Sequence, residues 1–160
     1  MTDGRVYLSA AGSETKAFDL RDGSGIKLVQ MAGIKVGFIS GRPSEATNRR
    51  AKELDVDWVL QGIRDKGQCV RDLQRKEGYS PEEVCFVGDD LLDIPAMKAV
   101  GFPVAVADAS GDVKAAARYV TRAKGGRGAV REVAELIVKT QGLWDNALER
   151  YWKTASSSRQ

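Results

Sequence analysis

The chain has no histidine among its 160 residues. This absence excludes an imidazole base or nucleophile, and it excludes histidine as a metal ligand. Only two cysteines are present, Cys69 and Cys85, and each lies inside an apolar pattern. We interpret both as small buried hydrophobic residues rather than as a disulfide or a metal-binding pair. Any chemistry must therefore depend on carboxylates, hydroxyls, lysines and a hard metal ion.

Long apolar runs and blocks of like charge are also absent. No run approaches the ~20 residues that span a bilayer, and the polar start Thr2-Asp3-Gly4-Arg5 does not resemble a signal peptide. The net charge is +3, and the 25 basic residues are dispersed along the chain. We therefore expect a cytoplasmic protein with no nucleic-acid or membrane partner, although an anionic substrate is easily accommodated.

Short apolar segments alternate with amphipathic segments along most of the chain. The pattern predicts a β-hairpin at residues 5–20, strands at 34–40, 58–61, 84–87, 103–106 and 119–121, and helices at 44–54, 66–77, 92–100, 112–117 and after residue 128. A further helix is predicted to follow a turn at 22–25 and to end at residue 32. Such alternation indicates an α/β fold with a doubly wound parallel sheet, formed by one domain over residues 1–153. The polar, serine-rich tail at 154–160 is predicted to be disordered.

Ligands of parallel α/β sheets bind at the carboxyl ends of the strands. Polar, small or acidic residues follow three of the predicted strands, namely Ser40-Gly41-Arg42, Gln61-Gly62 and Gly88-Asp89-Asp90. We expect these segments to converge on one crevice.

An acidic turn, Asp89-Asp90-Leu91-Leu92-Asp93, follows the apolar strand at 84–87. Unpaired carboxylates this close together would raise one another's pKa, and a divalent cation would remove that cost. Oxygen ligands favour Mg²⁺ over zinc. Asp89 and Asp90 are candidate metal ligands, with Asp93 as a supporting residue one helical turn away. The alternative is an acidic N-cap on the following helix, which is a strong alternative for Asp90 taken alone.

Three further segments are candidates for binding an anion. Ser40 offers a hydroxyl at a strand-to-helix turn, which is also compatible with a routine connection. Lys66 opens a helix, where the dipole disfavours cations, so it indicates a nearby anion or is simply a surface lysine. The segment Lys124-Gly125-Gly126-Arg127-Gly128 forms either an anion-binding nest or a flexible turn.

The ordered set of Ser40 in Ser-Gly-Arg, Lys66 in Asp-Lys, and Gly-Asp-Asp-x-x-Asp resembles three motifs of the haloacid-dehalogenase superfamily phosphatases. Within that superfamily the chain resembles the 3-deoxy-D-manno-octulosonate 8-phosphate (KDO 8-phosphate) phosphatases from Met1 to about Gln141. This likeness rests on segments throughout the chain, including residues 2–5, 16–18, 21–26, 32–36, 105–109 and 125–132.

The resemblance implies a Mg²⁺-dependent phosphatase of lipopolysaccharide precursor synthesis that passes through an aspartyl-phosphate. It implies a fold without a large cap domain and a homotetramer whose core contains the hairpin. Ser40 would bind the phosphoryl group and Lys66 would neutralise its charge, while Asp89 would hold Mg²⁺ with support from Asp93. The implied substrate contacts are Gly41, Arg42 and Arg127, for a small phosphorylated sugar acid.

One element of the family pattern is missing from this sequence. The family begins with a strand that ends in Asp-x-Asp-Gly, which carries the nucleophile and the acid/base, whereas this chain begins after that point. Asp3 matches a later aspartate and is no substitute. We therefore expect that Met1 is an internal methionine, that the domain lacks its first, central strand, and that the 160-residue chain is inactive.

Two alternatives of other classes remain. Phosphatase-like domains also follow sialic-acid cytidylyltransferases, where they serve as non-catalytic assembly modules, and the missing nucleophile suits such a role. A two-component receiver domain also combines acidic residues, a hydroxyl and a lysine. In a receiver, however, the acidic pair precedes the lysine, whereas here Lys66 precedes Asp89.

Overall fold

The computed structural model describes residues 2–10, 12 and 14–157 of the chain. Met1 and residues 158–160 lie outside the described residues, and so do the predictions that concern them. The strands are β1 (Tyr7–Leu8), β2 (Glu14–Thr15), β3 (Gly37–Ser40), β4 (Trp58–Gln61), β5 (Cys85–Gly88), β6 (Phe102–Ala105) and β7 (Tyr119–Val120). The α-helices are α1 (Leu20–Met31), α2 (Glu45–Glu53), α3 (Lys66–Glu77), α4 (Ile94–Met97), α5 (Gly111–Ala115), α6 (Ala129–Thr140) and α7 (Trp144–Ser157). Two 3₁₀ turns, Pro81–Glu83 and Leu91–Asp93, precede β5 and α4.

The strands that follow the hairpin are parallel, and helices connect them. β3 pairs with β4, and β5 pairs with β6, which also pairs with β7. The registers Ser40↔Gln61 and Gly88↔Ala105 align the carboxyl ends of neighbouring strands. This arrangement confirms the predicted α/β class, in which polar segments after each strand meet at one edge.

One apolar cluster packs three helices together, and another packs a helix against the strands. Leu28 of α1, Val138 of α6 and Ala147 of α7 are almost fully buried in one cluster. Val70 of α3 belongs to another cluster, against which side chains from both β3 and β5 pack. Since burial of each such side chain contributes about 1.5–3 kcal/mol, these clusters fix the helices and therefore the loops that follow the strands.

The N-terminal part of α1 differs from the prediction. The helix begins at Leu20, where the Asp19 side chain caps it by accepting a 2.7 Å hydrogen bond from the Arg21 backbone N–H. The predicted turn at 22–25 is therefore wrong. Gly25 lies within the helix, and its missing side chain makes room for α6, since a Cβ there would lie 2.8 Å from the Arg131 Cα. Glycine marks a close helix contact here instead of a turn.

The C-terminal helix differs most from the expectation. α7 continues to Ser157, whereas the sequence indicates a disordered tail from residue 154. Ala147 is fully buried against the neighbouring helices, and the Lys139 Nζ lies 4.2 Å from the centre of the Trp144 ring. Tertiary burial and this cation–π contact stabilise a segment of modest apolar content. None of the described helices is long and apolar enough to cross a membrane.

The predicted buried strands are only partly buried. Phe38 and Ile39 of β3, and Phe86 and Val87 of β5, are intermediate in exposure. Each strand pairs on one side alone, because β3 meets β4 and β5 meets β6. Within the described residues, no strand pairs with the opposite edges of β3 and β5, and a cavity lies there.

Candidate active site

A cavity of about 850 Å³ separates the two parallel sheets. Residues 33–40 line one side and residues 82–87 line the other, and the apolar face of α6 and part of α3 contribute further lining. We call this cavity the groove. Its length follows β3 and β5. Apolar side chains form much of its walls, and polar residues lie before the strands, as Lys35 and Glu83 do, as well as after them.

Four of the predicted site residues line the groove together. Ser40, Lys66, Asp89 and Asp93 are all among its lining residues. Gly41, Arg42, Asp90 and Arg127 are not. The hydroxyl, the ammonium and two of the three residues of the acidic turn thus share the lining of one cavity, as expected for loops that follow parallel strands.

Lys66 and Asp93 form a buried ion pair at the centre of this site. The Lys66 Nζ lies 2.5 Å from the Asp93 Oδ1, and the two side chains are 14% and 4% exposed. Gly67 allows this contact, because a Cβ there would lie 2.9 Å from the Pro95 carbonyl carbon. Asp65 caps the same helix by accepting a hydrogen bond from the Gln68 N–H at 2.8 Å. The position of Lys66 at a helix start indicated a nearby anion. In the structure the carboxylate of Asp93 is such an anion.

Asp93 also shapes the acidic turn. Its Oδ2 accepts hydrogen bonds from the backbone N–H groups of Asp89 at 2.9 Å and Asp90 at 3.2 Å. The Asp90 side chain accepts a hydrogen bond from the Leu91 N–H at 2.7 Å, as an N-cap does. The side chain of Asp90 therefore makes the contact of an N-cap, as the alternative interpretation expects. Asp89, by contrast, lines the groove.

Asp89 and Asp93 have opposite pKa shifts. Desolvation, reinforced by repulsion from Asp93, raises the pKa of Asp89 to about 6. Burial also acts to raise the pKa of Asp93, but hydrogen bonds from Lys66 and from the Asp89 backbone outweigh it and leave that pKa below its ordinary value. Asp93 is therefore the fixed anion of the pair, and Asp89 is the carboxylate that gains most from a bound cation.

The residue types fit a hard metal ion, although the chain supplies few ligands. Among the described residues, no three His, Cys, Asp or Glu side chains converge as a metal-binding group. Gly88 provides a close approach, since a Cβ there would lie 2.8 Å from the Asp93 Cβ. A carboxylate with a raised pKa beside a second carboxylate suits Mg²⁺, which takes one or two protein carboxylates and completes its shell with phosphate and water.

The Ser40 turn is closed by its own side chain. The Ser40 hydroxyl donates to the Arg42 carbonyl at 2.8 Å and accepts from the Arg42 N–H at 3.2 Å. The Arg42 guanidinium turns away to Glu14, whose Oε2 lies 2.7 Å from its Nη2. Arg42 is thus held by the hairpin, while the Ser40 hydroxyl remains at the groove.

Arg127 lies on a loop that internal carboxylates hold. Within Lys124–Gly128 (the glycine loop), the Gly125 N–H donates to the Asp108 Oδ1 at 2.8 Å, and Arg127 itself is exposed. The sequence leaves both a nest and a flexible turn open. In the structure the Gly125 N–H binds the Asp108 carboxylate, and the Arg127 N–H donates to the Lys124 carbonyl at 3.0 Å, as in a turn.

Lys16 and Thr2 also line the groove, and the sequence patterns did not select them as site residues. Lys16 lies on the segment after β2, and its side chain is only 10% exposed and lies 3.5 Å from Glu14. Thr2 lines the same cavity. Neither belongs to a strand that ends at the site, so the positional rule that found Ser40 and Asp89 was unable to select them.

Comparisons with known proteins agree with this geometry. Residues 59–133 match the family described as haloacid dehalogenase-like hydrolase. The KDO 8-phosphate phosphatase of Escherichia coli is 44% identical over 147 residues, covering 92% of this chain and 78% of the relative. A crystal structure of the Moraxella catarrhalis phosphatase, in complex with magnesium, phosphate and KDO, has a TM-score of 0.90 at 37% identity and covers 94% of this chain and 86% of that one.

A second solved structure gives the same result. The cobalt-bound phosphatase from Haemophilus influenzae has a TM-score of 0.85 at 38% identity, with 89% of this chain and 84% of that chain covered. The resemblance found in the sequence is therefore confirmed: this chain belongs to the KDO 8-phosphate phosphatase family of haloacid dehalogenase-like hydrolases.

Proposed function

We propose that this chain forms the substrate and metal site of a phosphatase that hydrolyses KDO 8-phosphate to KDO and phosphate. The observation that carries the proposal is that Ser40, Lys66, Asp89 and Asp93 line one groove, in which Asp93 contacts both Lys66 and the Asp89 backbone. The names of the relatives in Escherichia coli and Moraxella catarrhalis support the substrate. A role in lipopolysaccharide precursor synthesis and a location in the cytoplasm belong to the same proposal.

Each side chain has a defined role in this proposal. The Ser40 hydroxyl, whose one proton now goes to the Arg42 carbonyl, would rotate to donate it to a phosphoryl oxygen, and the Lys66 ammonium neutralises charge that develops there. Asp89 holds Mg²⁺, which supplies charge neutralisation at the phosphoryl group when bound. Asp93 acts on the other residues, because it fixes the Lys66 ammonium and the backbone of the acidic turn. Asp90, Gly41, Arg42 and Arg127 are proposed outer contacts to the metal or the sugar acid.

The nucleophile is proposed to come from a further strand in the groove. Among the described residues, β3 and β5 leave edges that face the groove unpaired, and its lining combines apolar side chains of both strands with Lys66 and Asp89. These features match an apolar strand that finishes in Asp-x-Asp-Gly. Such a strand would pair with both edges and would place its first carboxylate beside Lys66. Residues 1–153 are therefore proposed to be one phosphatase domain without its first strand, and the chain by itself is proposed to be inactive.

The test compares the chain with an extended form. The extension is an apolar strand ending in Asp-x-Asp-Gly, joined to the N-terminus, and the matched control replaces its first aspartate by asparagine. We expect Mg²⁺-dependent phosphate release from KDO 8-phosphate by the extended protein alone. A folded extended protein that binds Mg²⁺ but releases no phosphate would overturn the proposal and favour the non-catalytic assembly module.

The oligomeric state is a separate part of the proposal. The hairpin exposes Val6, Tyr7 and Leu8, and Leu20 beside it is 78% exposed. Exposed neighbouring apolar side chains are typical of an interaction surface, and a homotetramer would cover them. Sedimentation of the extended protein and of its Leu8→Asp variant tests this: we expect a tetramer that dissociates in the variant, and a monomer in both would contradict it.

A further inference from the structure

The helix α6 has an N-cap residue that lacks a side chain. Gly128 occupies this position with a φ of +99°, in the left-handed region that favours glycine. A side chain from α1 supplies the missing cap, since the Asp22 Oδ1 accepts a hydrogen bond from the Arg131 N–H at 3.0 Å. The two residues are 109 positions apart. Asp22 therefore caps α6 from another helix.

Close packing of the two helices brings Asp22 to this place. Asp22 is only 3% exposed, and Gly25, one turn further along α1, allows the backbones to approach. The positive end of a helix dipole attracts anions. At α6 that anion is the carboxylate of Asp22, so this helix terminus is already occupied by the protein itself.

The same turn of α1 holds the glycine loop that precedes α6. The Arg21 Nη2 donates to the Arg127 carbonyl at 3.3 Å, and the guanidinium is fixed by Asp19 at 3.0 Å. At the other end of the loop, the Gly125 N–H is held by Asp108. The loop is thus tied to α1 on one side and to the segment after β6 on the other.

The loop lies beside the active site. Asp108 follows β6, which neighbours β5 and the acidic turn, and the Val106 N–H donates to the Gly88 carbonyl at 3.2 Å. Gly126 packs against the backbone of Thr2, which lines the groove. Displacement of this loop would therefore move an edge of the site, together with the exposed Arg127 side chain.

We propose that Asp22 is a positioning residue that fixes the glycine loop, and hence Arg127, at the edge of the active site by capping α6 from α1. Its consequence for substrate binding rests on the proposed function. The positioning itself does not, because it depends on contacts within the chain.

Trypsin provides a test without substrate, since Lys124 and Arg127 are cleavage sites within the loop. In Asp22→Ala, loss of a cap that contributes about 1 kcal/mol corresponds to about five-fold faster cleavage at these two sites. Asp22→Asn keeps an acceptor oxygen facing Arg131 and should return the rate to within about two-fold of the original. Mass spectrometry of the fragments separates loop cleavage from cleavage elsewhere.

A matched variant controls for general destabilisation. Val138→Ala removes buried volume from α6 away from the loop, and we expect it to accelerate cleavage at sites throughout the chain. Two results would overturn the proposal: an unchanged rate at the loop in Asp22→Ala, or acceleration spread over the chain as in Val138→Ala. Because no phosphate ester is used, failure here is distinct from failure of the phosphatase assay.

Discussion

Removal of Asp93 should destabilise this protein more than any other single change at the site. The Asp93→Ala variant leaves three donors without their acceptor: the Lys66 ammonium and the backbone N–H groups of Asp89 and Asp90. The Lys66 side chain is 14% exposed, so water reaches it only in part. The unpaired ammonium and amide groups are the reason why the free energy of unfolding should decrease.

The size of the expected effect depends on the kind of interaction that Asp93 makes. Removal of one partner of a buried ion pair costs about 3–5 kcal/mol, and the residual exposure of Lys66 lowers our expectation to about 2–4 kcal/mol. Lys66→Met should cost less, about 1–2 kcal/mol, because Asp93 keeps its two backbone donors. In the double variant no buried ammonium remains, so the decrease in stability should be smaller than the sum of the single decreases by at least about 1 kcal/mol.

Urea unfolding at pH 7, followed by far-ultraviolet circular dichroism, measures these differences. With a slope of about 1–3 kcal/mol per molar urea, the midpoint of Asp93→Ala should fall by about 1 M or more. Asp93→Asn serves as the matched control, since it keeps the shape of the side chain and one acceptor oxygen. Its urea midpoint should lie between those of Asp93→Ala and the unsubstituted protein. A decrease below about 1 kcal/mol for Asp93→Ala, or strict additivity in the double variant, would show that Asp93 does not stabilise the Lys66 ammonium and the acidic turn.

Three other predictions concern the surroundings of the site. Gly88→Ala should abolish Mg²⁺-dependent phosphate release by the extended protein, because the new Cβ would lie 2.8 Å from the Asp93 Cβ; activity close to that of the unsubstituted extended protein would contradict this. Burial acts to raise the pKa of Glu132, but hydrogen bonds from two backbone N–H groups and the Tyr119 hydroxyl outweigh it and lower that pKa below 4.5. The ionised Glu132 carboxylate therefore contributes its full stabilisation above pH 4.5, and this is lost as the pH falls through the folded-state pKa. The Glu132→Gln variant should flatten the acid side of a plot of melting temperature against pH. Tyr119→Phe removes one of these bonds and should cost about 1 kcal/mol in urea unfolding, and a cost equal to that of Glu132→Gln would show that the backbone contacts contribute nothing.

Position along the chain was enough to select the residues of the candidate site. The rule that ligands bind where parallel strands end selected Ser40 and Asp89, and the spacing of the acidic turn added Asp93. The unfavourable place of Lys66 at a helix start indicated an anion, and the ion pair with Asp93 supplies one. These features are local in sequence, so periodicity and spacing carry them.

Glycine was the least reliable guide in the sequence. The pattern places Gly25 in a turn, but it lies within α1 and marks the contact with α6. A missing side chain permits either a special backbone conformation or a close approach, and the sequence does not distinguish the two. Gly128 is the opposite case, because its φ of +99° does require glycine.

Local sequence patterns were sufficient to predict the α/β class, the order of strands and helices up to α6, and the carboxylate, hydroxyl and ammonium groups of the candidate site. Long-range packing accounts for the cap that Asp22 gives α6, the contact of Glu14 with Arg42, the place of Lys16 at the groove, and the cavity between β3 and β5. These contacts join residues tens of positions apart. Their formation depends on how helices and strands pack, which no local pattern encodes.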